Sequence, residues 1–318
     1  MINVHKKTGA SGRVDIKVTF QCNNSCLFCV QGRKRRTAAE KTREEIEDIL
    51  RASRSGCAEA VFTGGEPTLR PDILALLRYA AHLGYRTQIQ SNGRLFCYRD
   101  FCVRMAQAGM NAVVISLHGP GPRVHDRLTR AEGSFRQTAA GIKNLRALGI
   151  EVMTNTVINK FNYRLLPDIA RRLVELNVSH FQFAFPHILG EAKARVGQLI
   201  PTKTEVIPHL LKALEIGDRE KRTVRIEAIP YCFLPGREAC VSDRYIPDTR
   251  VFDVHAVKDF DRWRKRAGKC KGPRCPACRY NDLCEGPWRE YPKIFGWKEF
   301  RPVARDAGAG DPQKNRER

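Results

Sequence analysis

The sequence lacks long apolar runs and is short of acidic residues. No apolar stretch approaches the roughly 18 residues of a membrane-spanning helix, and residues 1–7 lack the apolar segment of a secretory signal. We therefore expect a cytoplasmic protein with no membrane partner. Only 34 Asp and Glu residues oppose 56 Lys and Arg residues, which gives a net charge of +22. Such a basic surface attracts RNA or acidic peptides, but no aromatic-rich RNA-binding motif accompanies it.

Cysteine, in contrast, is plentiful, with 12 residues in a chain of 318. In a cytoplasmic protein this favours metal binding over disulfides. Cys22, Cys26 and Cys29 follow a strand-like segment at residues 14–20 with the spacing C-x3-C-x2-C. Iron–sulfur cubanes are normally held by four thiolates, so a loop that supplies three leaves one iron open to an outside ligand. A zinc site, which prefers paired cysteines plus two further ligands, and unligated packed thiols are the alternatives.

Strand-like and helix-like segments alternate along most of the chain. Short connections between such segments are typical of a parallel sheet with helices packed outside it. Six units fall short of the eight of a complete barrel, so the expected fold class is α/β, a partial (β/α)6 barrel. The predicted strands are residues 14–20, 58–62, 86–90, 112–116, 151–158 and 180–185. The predicted helices are residues 37–54, 72–83, 99–108, 135–148, 164–176 and 204–214.

The distinctive motifs all follow predicted strands. The cysteine loop follows the first strand and the Gly-Gly-Glu-Pro segment at residues 64–67 follows the second. Ser-Asn-Gly at residues 91–93 follows the third strand, and Ser-Leu-His at residues 116–118 follows the fourth. Parallel α/β sheets place their sites at the carboxyl ends of the strands. The four loops are therefore expected to form one site.

Two of these motifs resemble the signature of one enzyme family. The cysteine loop, with the aromatic Phe28 before its third cysteine, and the Gly-Gly-Glu-Pro segment are similar to the motifs of the radical S-adenosylmethionine (radical SAM) enzymes. The resemblance implies a [4Fe–4S] cluster on the three cysteines, with S-adenosylmethionine on its open iron. It also implies an electron donor such as ferredoxin or flavodoxin, and reductive cleavage to a 5′-deoxyadenosyl radical that removes a hydrogen atom from a substrate.

The same resemblance assigns cofactor contacts to residues near the strand ends. The Gly-Gly-Glu-Pro segment would hold the methionyl amino group, with its carboxylate as an acceptor, and the Phe28 ring would meet the adenine. Asn92 and Ser116 are candidates for the ribose hydroxyls or the methionyl carboxylate, and Arg130 for a bidentate carboxylate contact. Ordinary turns and core packing are the alternatives. The predicted contacts are Phe28, Gly64, Gly65, Glu66, Pro67, Asn92, Ser116 and Arg130.

A second cysteine set lies near the C-terminus. Its spacing, C-x2-C-x5-C at residues 275–284, resembles the SPASM or twitch extensions of radical SAM enzymes, which carry auxiliary [4Fe–4S] clusters. No cysteine follows Cys284, which favours one auxiliary cluster over two. Cys240 and Cys270 are alternates for the fourth ligand, and zinc is an alternative metal. The predicted ligands are Cys232, Cys275, Cys278 and Cys284. The remaining cysteines, predicted to pack within helices, are Cys57, Cys97 and Cys102.

These interpretations divide the chain into four parts: a leader at residues 1–12, a radical SAM core at 13–222, an auxiliary-cluster domain at 223–303 and a disordered tail at 304–318. Peptide or protein modification is the favoured function. Small-molecule cofactor biosynthesis and RNA modification by the same chemistry are alternatives, the latter because of the basic C-terminal part. A zinc-dependent nucleic-acid-binding module without catalysis is the alternative from another class.

Overall fold

A computed structural model of the chain describes residues 12–257 and 259–304. Within them, nine strands form one sheet in the order β7-β6-β5-β4-β3-β2-β1-β8-β9, in which β1 to β8 run parallel and β9 is antiparallel to β8. The strands are β1 (Gly12–Thr19), β2 (Cys57–Gly64), β3 (Arg86–Ser91), β4 (Ala112–Ser116), β5 (Glu151–Val157), β6 (His180–Ala184), β7 (Thr223–Glu227), β8 (Thr249–Phe252) and β9 (Ala256–Val257).

The predicted α/β class is confirmed, and the first six strands lie where the sequence places them to within two residues. The expected count of six was too low, because β7 extends the sheet beside β6 and β8 pairs with β1. Both added strands are short and lie in the stretch assigned to the auxiliary domain. The boundary at residue 223 stays a prediction.

Twelve α-helical segments connect or flank the strands in the described part of the chain. The predicted helix at residues 37–54 is two segments, because Thr42 and Glu45 form a reciprocal capping box that starts the second segment at Arg43. All twelve helical segments are α1 (Lys34–Thr37), α2 (Arg43–Ser53), α3 (Ile73–His82), α4 (Arg99–Gln107), α5 (Pro122–Thr129), α6 (Ser134–Ala147), α7 (Leu166–Glu175), α8 (Gly190–Ala194), α9 (Val196–Leu199), α10 (Lys203–Arg219), α11 (Phe260–Trp263) and α12 (Glu290–Phe295).

Side chains alternate along β1 between a hydrophobic and a polar face. Val14, Ile16 and Val18 are fully buried in the apolar core. The polar side chains that alternate with them, Arg13, Asp15 and Lys17, border a large cavity on the other face of the sheet. Because successive strand residues point to opposite faces, the same strand builds the core and the wall of the cavity.

None of the helices that the structure describes is long and apolar enough to cross a membrane. Apart from Gly12 and Ala304, the predicted leader and the predicted tail lie outside the described residues.

Candidate active site

The carboxyl ends of the strands surround a cavity of about 970 Å³, here called the main cavity. It brings together the four loops that the sequence places at one rim. His187, after β6, and Trp288, from the C-terminal segment, also line it. The predicted site residues that line it are Cys22, Cys26, Phe28, Cys29, Gly64, Gly65, Asn92 and Ser116.

The cysteine loop is held in place by hydrogen bonds from both sides. The backbone N–H groups of Ser25 and Leu27 donate to carbonyls at the end of α5, at 2.8 and 2.9 Å. Arg94 donates to the Asn24 side chain at 3.0 Å, and Arg35 donates to the Cys22 carbonyl at 3.0 Å. These contacts fix the loop before any metal arrives, which is the preorganisation that a ligand site needs.

Burial and proximity shape the chemistry of the thiols. Burial raises the pKa of Cys22, and it raises the pKa of Cys26 to about 12, with the Cys22 and Cys29 thiols adding to the effect on Cys26. Thiolates this close together and this far from water are stable only when positive charge lies among them. The donor set therefore fits a cationic, thiolate-bound metal centre.

In the described residues, no group of three or more His, Cys, Asp or Glu side chains is arranged to hold a metal ion. A cubane differs from a single ion, because it spreads four irons, and with them its thiolates, over a wider space. Two observations favour a cluster. Cys22, Cys26 and Cys29 line one cavity, and the thiols of Cys22 and Cys29 raise the pKa of Cys26.

The two glycines after β2 are required by the neighbouring backbone. A Cβ on Gly64, whose φ is +132°, would lie 2.1 Å from the Thr19 carbonyl oxygen, and a Cβ on Gly65 would lie 2.1 Å from the Gln21 carbonyl oxygen. The Gly65 N–H donates to the same Thr19 oxygen at 2.7 Å. The predicted contact with the cofactor is one reason for glycine here, because backbone without side chains can approach a ligand closely. The structure adds a second one, which is that they let the cysteine loop lie directly against β2.

Glu66 is fully buried and does not line the main cavity. Its carboxylate accepts hydrogen bonds from the Thr68 hydroxyl at 2.6 Å, the Ser91 hydroxyl at 2.8 Å and the Asn92 N–H at 2.7 Å. The chain thus already supplies donors to this carboxylate, and Glu66 ties the loop after β2 to the loop after β3. Its contact with a cofactor amine stays a prediction. Pro67, next to it, is also buried away from the main cavity.

A pair of stacked histidines supports Phe28. The Phe28 ring meets His118 edge-on with centroids 4.7 Å apart, and His118 stacks on His125 at 5.8 Å. Burial lowers the pKa of His118 well below its ordinary value and that of His125 to about 4. Nδ1 of His125 accepts the His118 N–H at 3.1 Å. Neutral imidazoles therefore form the wall behind Phe28.

Arg130 lies apart from the other predicted cofactor residues. It ends α5 with a left-handed φ of 53° and is exposed. It borders a separate cavity of about 380 Å³, here called the arginine pocket, together with Arg35, Arg36 and Arg195.

The polar inner wall of the main cavity was missed by the sequence analysis. Arg13, Asp15 and Lys17 project from β1, and Glu227 projects from the end of β7. Gln182 of β6 donates to Glu227 at 2.7 Å. The signal was available, because polar residues at every second position of an otherwise apolar strand indicate a hydrophilic interior.

The second cysteine set forms a cavity of its own, of about 230 Å³, here called the cysteine cavity. Cys232, Cys275, Cys278 and Cys284 all line it. Burial raises the pKa of Cys232 to about 12, and the other three thiols contribute. The structure thus brings Cys232, from the segment after β7, to the three cysteines that follow α11.

Backbone amides point at the sulfurs of this cavity. The Gly272 N–H donates to Cys275 Sγ at 3.2 Å, the Gly286 N–H to Cys284 Sγ at 3.3 Å and the Val303 N–H to Cys278 Sγ at 3.4 Å. Hydrogen bonds to sulfur are one of the means by which proteins tune thiolate-bound clusters.

The remaining cysteines lie outside both cysteine-lined cavities. Charged residues around Cys240 include Asp218 and Arg237, and Cys270 is close to Cys275 without lining the cavity. Cys102 is buried in α4. Cys57 is also buried, but it begins strand β2, so its predicted helical setting was wrong.

Residues 16–173 match the family model of the Radical SAM superfamily. The chain belongs to the radical SAM superfamily. It is 28% identical over 252 residues to the PqqA peptide cyclase of Rhodopseudomonas palustris, covering 76% of this chain and 67% of that protein. It is 29% identical over 191 residues to the AdoMet-dependent heme synthase of Oleidesulfovibrio alaskensis, covering 59% and 49%. The chain therefore spans about half to two thirds of these relatives.

A likeness of fold to one solved structure covers most of the chain. SuiB of Streptococcus suis, solved with bound S-adenosylmethionine, superposes with a TM-score of 0.64 at 17% identity, covering 93% of this chain and 76% of SuiB. At this identity the likeness concerns the fold. Enzymes of the superfamily use a [4Fe–4S] cluster and S-adenosylmethionine, and the donor set of the main cavity fits a cluster.

Proposed function

We propose that this radical SAM enzyme cleaves S-adenosylmethionine reductively and uses the radical to modify a peptide. The observation that carries the proposal is one cavity in which three thiols, two glycines and a polar wall meet. When bound, the cluster and S-adenosylmethionine supply one-electron cleavage of the sulfonium bond and a 5′-deoxyadenosyl radical. Cys22, Cys26 and Cys29 would hold the cluster, and the rest of the cavity would hold the reactants.

The cofactor contacts fall into two groups in this proposal. Phe28, Asn92 and Ser116 border the main cavity, as do the glycines after β2, so these residues would touch S-adenosylmethionine. Glu66 would act indirectly, because its carboxylate holds the Ser91 hydroxyl and the Asn92 backbone in place. The amino group would then meet the backbone of the Gly-Gly segment.

The cysteine cavity supports an auxiliary [4Fe–4S] cluster held by Cys232, Cys275, Cys278 and Cys284. Four thiols are the usual complement for a closed cubane. Zinc takes the same ligands, so iron and zinc analysis of anaerobically prepared protein separates the two. About eight irons per chain fits two clusters, and about four irons with one zinc supports the zinc alternative.

Charge pairing within the main cavity favours a peptide over a polycarboxylate. Lys17 lies 3.4 Å from Asp15, and Lys34 lies 2.6 Å from Asp253. The cations of the wall are thus matched by carboxylates and leave little excess charge for an anionic substrate. The volume is near the upper end of the roughly 300–1,000 Å³ usual for ligand pockets, which leaves room beside the cofactor. The similarity to a peptide cyclase supports the same choice.

A small-molecule substrate is the second candidate, favoured by the similarity to heme synthases. Reconstituted enzyme, S-adenosylmethionine and dithionite are incubated with cell extract, and peptides and small molecules are compared by mass spectrometry before and after. We expect 5′-deoxyadenosine together with a mass change in a peptide. A change confined to tetrapyrroles or other small molecules would favour the second candidate, and absence of 5′-deoxyadenosine would reject both.

A further inference from the structure

We propose that the arginine pocket is the docking site of an acidic one-electron carrier protein that reduces the cluster on Cys22, Cys26 and Cys29. This rests on the proposed function, since each reductive cleavage consumes one electron that must come from outside the chain. In the step proposed, the carrier loses one electron and the thiolate-bound cluster gains it. No bond is made or broken at the pocket and no proton is transferred there.

The position of the pocket is the first argument. Cys26 and Arg35 line both the arginine pocket and the main cavity. Cys26 is therefore part of the wall between the two spaces. An electron that enters from the pocket reaches a cluster ligand without crossing the space for cofactor and substrate. Since electron transfer weakens steeply with distance, a carrier seated here would be close to its target.

The charge of the pocket is the second argument. Four arginines and one glutamate line it, which gives a net formal charge of +3. Arg195 pairs with Glu191, and Arg35 donates to the Cys22 carbonyl. Arg36 and Arg130 are exposed at the same pocket. A concentrated positive field attracts an acidic protein surface and speeds its association.

The surroundings favour a protein over a small anion. Val30, directly after the cysteine loop, is 48% exposed, and Leu189, before α8, is 37% exposed. Both border the main cavity, two residues along the chain from Gly32 and Glu191 of the arginine pocket. The two segments touch, because the Glu191 N–H donates to the Cys29 carbonyl at 2.9 Å. Exposed aliphatic side chains beside a charged patch are typical of protein interfaces, which combine an apolar centre with a polar rim.

The test measures binding of purified flavodoxin to the reconstituted protein by surface plasmon resonance at low ionic strength. The variant is Arg36→Glu with Arg195→Glu, and the matched control is Lys212→Glu with Arg219→Glu on α10. Each pair changes the formal charge by −4, and each breaks one surface ion pair, Arg195–Glu191 or Arg219–Glu220. We expect the Kd to rise about tenfold or more in the variant and less than about threefold in the control.

Cleavage assays distinguish this inference from the proposed function. Flavodoxin-driven formation of 5′-deoxyadenosine should fall in the Arg36/Arg195 variant, whereas dithionite-driven formation should equal that of the wild type. Should the wild type fail to cleave S-adenosylmethionine with dithionite, the proposed function fails while the binding measurement still reports on the pocket.

Three results would overturn the docking site. One is an equal rise of Kd in variant and control, which would reflect overall charge. Another is loss of dithionite-driven cleavage in the variant, which would make the pocket part of the cofactor site. The third is binding of inorganic phosphate to the wild type that is lost in the variant but leaves the Kd for flavodoxin unchanged, which would place flavodoxin elsewhere. Iron content verifies folding, and Arg36→Gln alone provides a milder variant with an expected rise of about threefold.

Discussion

The main cavity and the cysteine cavity are both lined by cysteines, but they differ in how completely they surround a metal centre. The main cavity has three cysteines on one loop and about 970 Å³ of space. The cysteine cavity has four cysteines from two separate segments and about 230 Å³. The first site leaves space for a ligand that is not protein, and the second has from the chain itself the four thiols that a closed cubane usually takes.

The two cavities also differ in the hydrogen bonds that their sulfurs receive. In the cysteine cavity three sulfurs receive a backbone N–H. In the main cavity Cys22 receives the Asn24 N–H at 3.4 Å, and the Asn92 side-chain amide lies 3.8 Å away. The two sites therefore differ in the number of thiols and in the number of backbone N–H groups that the sulfurs receive, which is the difference expected between an open and a closed cluster site.

The largest expected effect comes from removing the three thiols of the main cavity. Replacing Cys22, Cys26 and Cys29 together with Ala should abolish 5′-deoxyadenosine formation and remove about four irons per chain, because no other thiol among the described residues lines that cavity. Cys97→Ala, outside both cavities, is the control and should change neither quantity. Chromatography and iron analysis are the measurements. Undiminished 5′-deoxyadenosine formation would contradict the cofactor assignment.

The next effect tests which cysteine is the fourth ligand in the cysteine cavity. Cys232→Ala should lower the iron content by up to about four per chain or alter the spectrum of the auxiliary cluster, while S-adenosylmethionine cleavage is partly retained. Cys240→Ala, at a half-buried cysteine outside the cavity, should leave iron and spectrum unchanged. Electron paramagnetic resonance of the reduced proteins is the measurement. Equal effects of the two substitutions would reject Cys232 as the ligand.

A smaller effect is expected at Glu66, whose carboxylate is buried next to the main cavity. Glu66→Gln replaces an acceptor oxygen with an amide that faces chain donors, so the free energy of unfolding should fall by about 1–3 kcal/mol. Glu44→Gln, on the exposed face of α2, should change it by less than about 0.5 kcal/mol. Urea unfolding of both variants provides the comparison. A loss no larger than that of the control would show that the network adds little stability.

The last effect is absent at neutral pH and is a pH dependence of stability from the buried histidine that stacks on His118 behind Phe28. The folded-state pKa of His125 is lowered to about 4, mainly by burial and also by Arg94, against the opposing effect of Asp126. The unfolded chain therefore takes up the proton first, and stability should fall as the pH drops from about 6.5 to about 4. His125→Asn keeps an acceptor for the His118 N–H and should reduce this slope.

Urea unfolding at several pH values measures the slope for the wild type and for His125→Asn, with His82→Asn at the surface as the matched control. The described lining of the cysteine cavity contains no histidine. Its cluster signals should therefore persist to lower pH than those of the main cavity. If stability fell with pH as steeply in His125→Asn as in the wild type, His125 would not be the source of the pH dependence.

Local sequence patterns predicted the elements that local forces decide. Strand β4 at Ala112–Ser116 lies at its predicted bounds, because an apolar run between turn residues leaves little choice. Strand β8, in contrast, has four residues, and pairing with β1 makes it a strand. Thr249, Val251 and Phe252 favour strands, but four residues are too short a pattern to predict one, and tertiary contacts decide the structure. That is why the count of six strands was too low.

The site shows the same limit. Spacing placed Cys22, Cys26 and Cys29 together because they share one loop. Spacing could not choose among the three candidates for the fourth auxiliary ligand, since that choice depends on how the chain after β7 packs. The role of Glu66 was also beyond sequence, because its hydrogen-bond donors come from two different loops.

The order of the strands has a consequence for synthesis. Strands β1 to β7 can pair one after another as the chain emerges, each with the strand made just before it. The outer edge of β1, however, waits for β8. Open strand edges invite pairing with other chains. A nascent or truncated polypeptide that stops before Thr249 would therefore expose the unpaired edge of β1. Once β8 is made, it covers this edge and so protects the protein against aggregation.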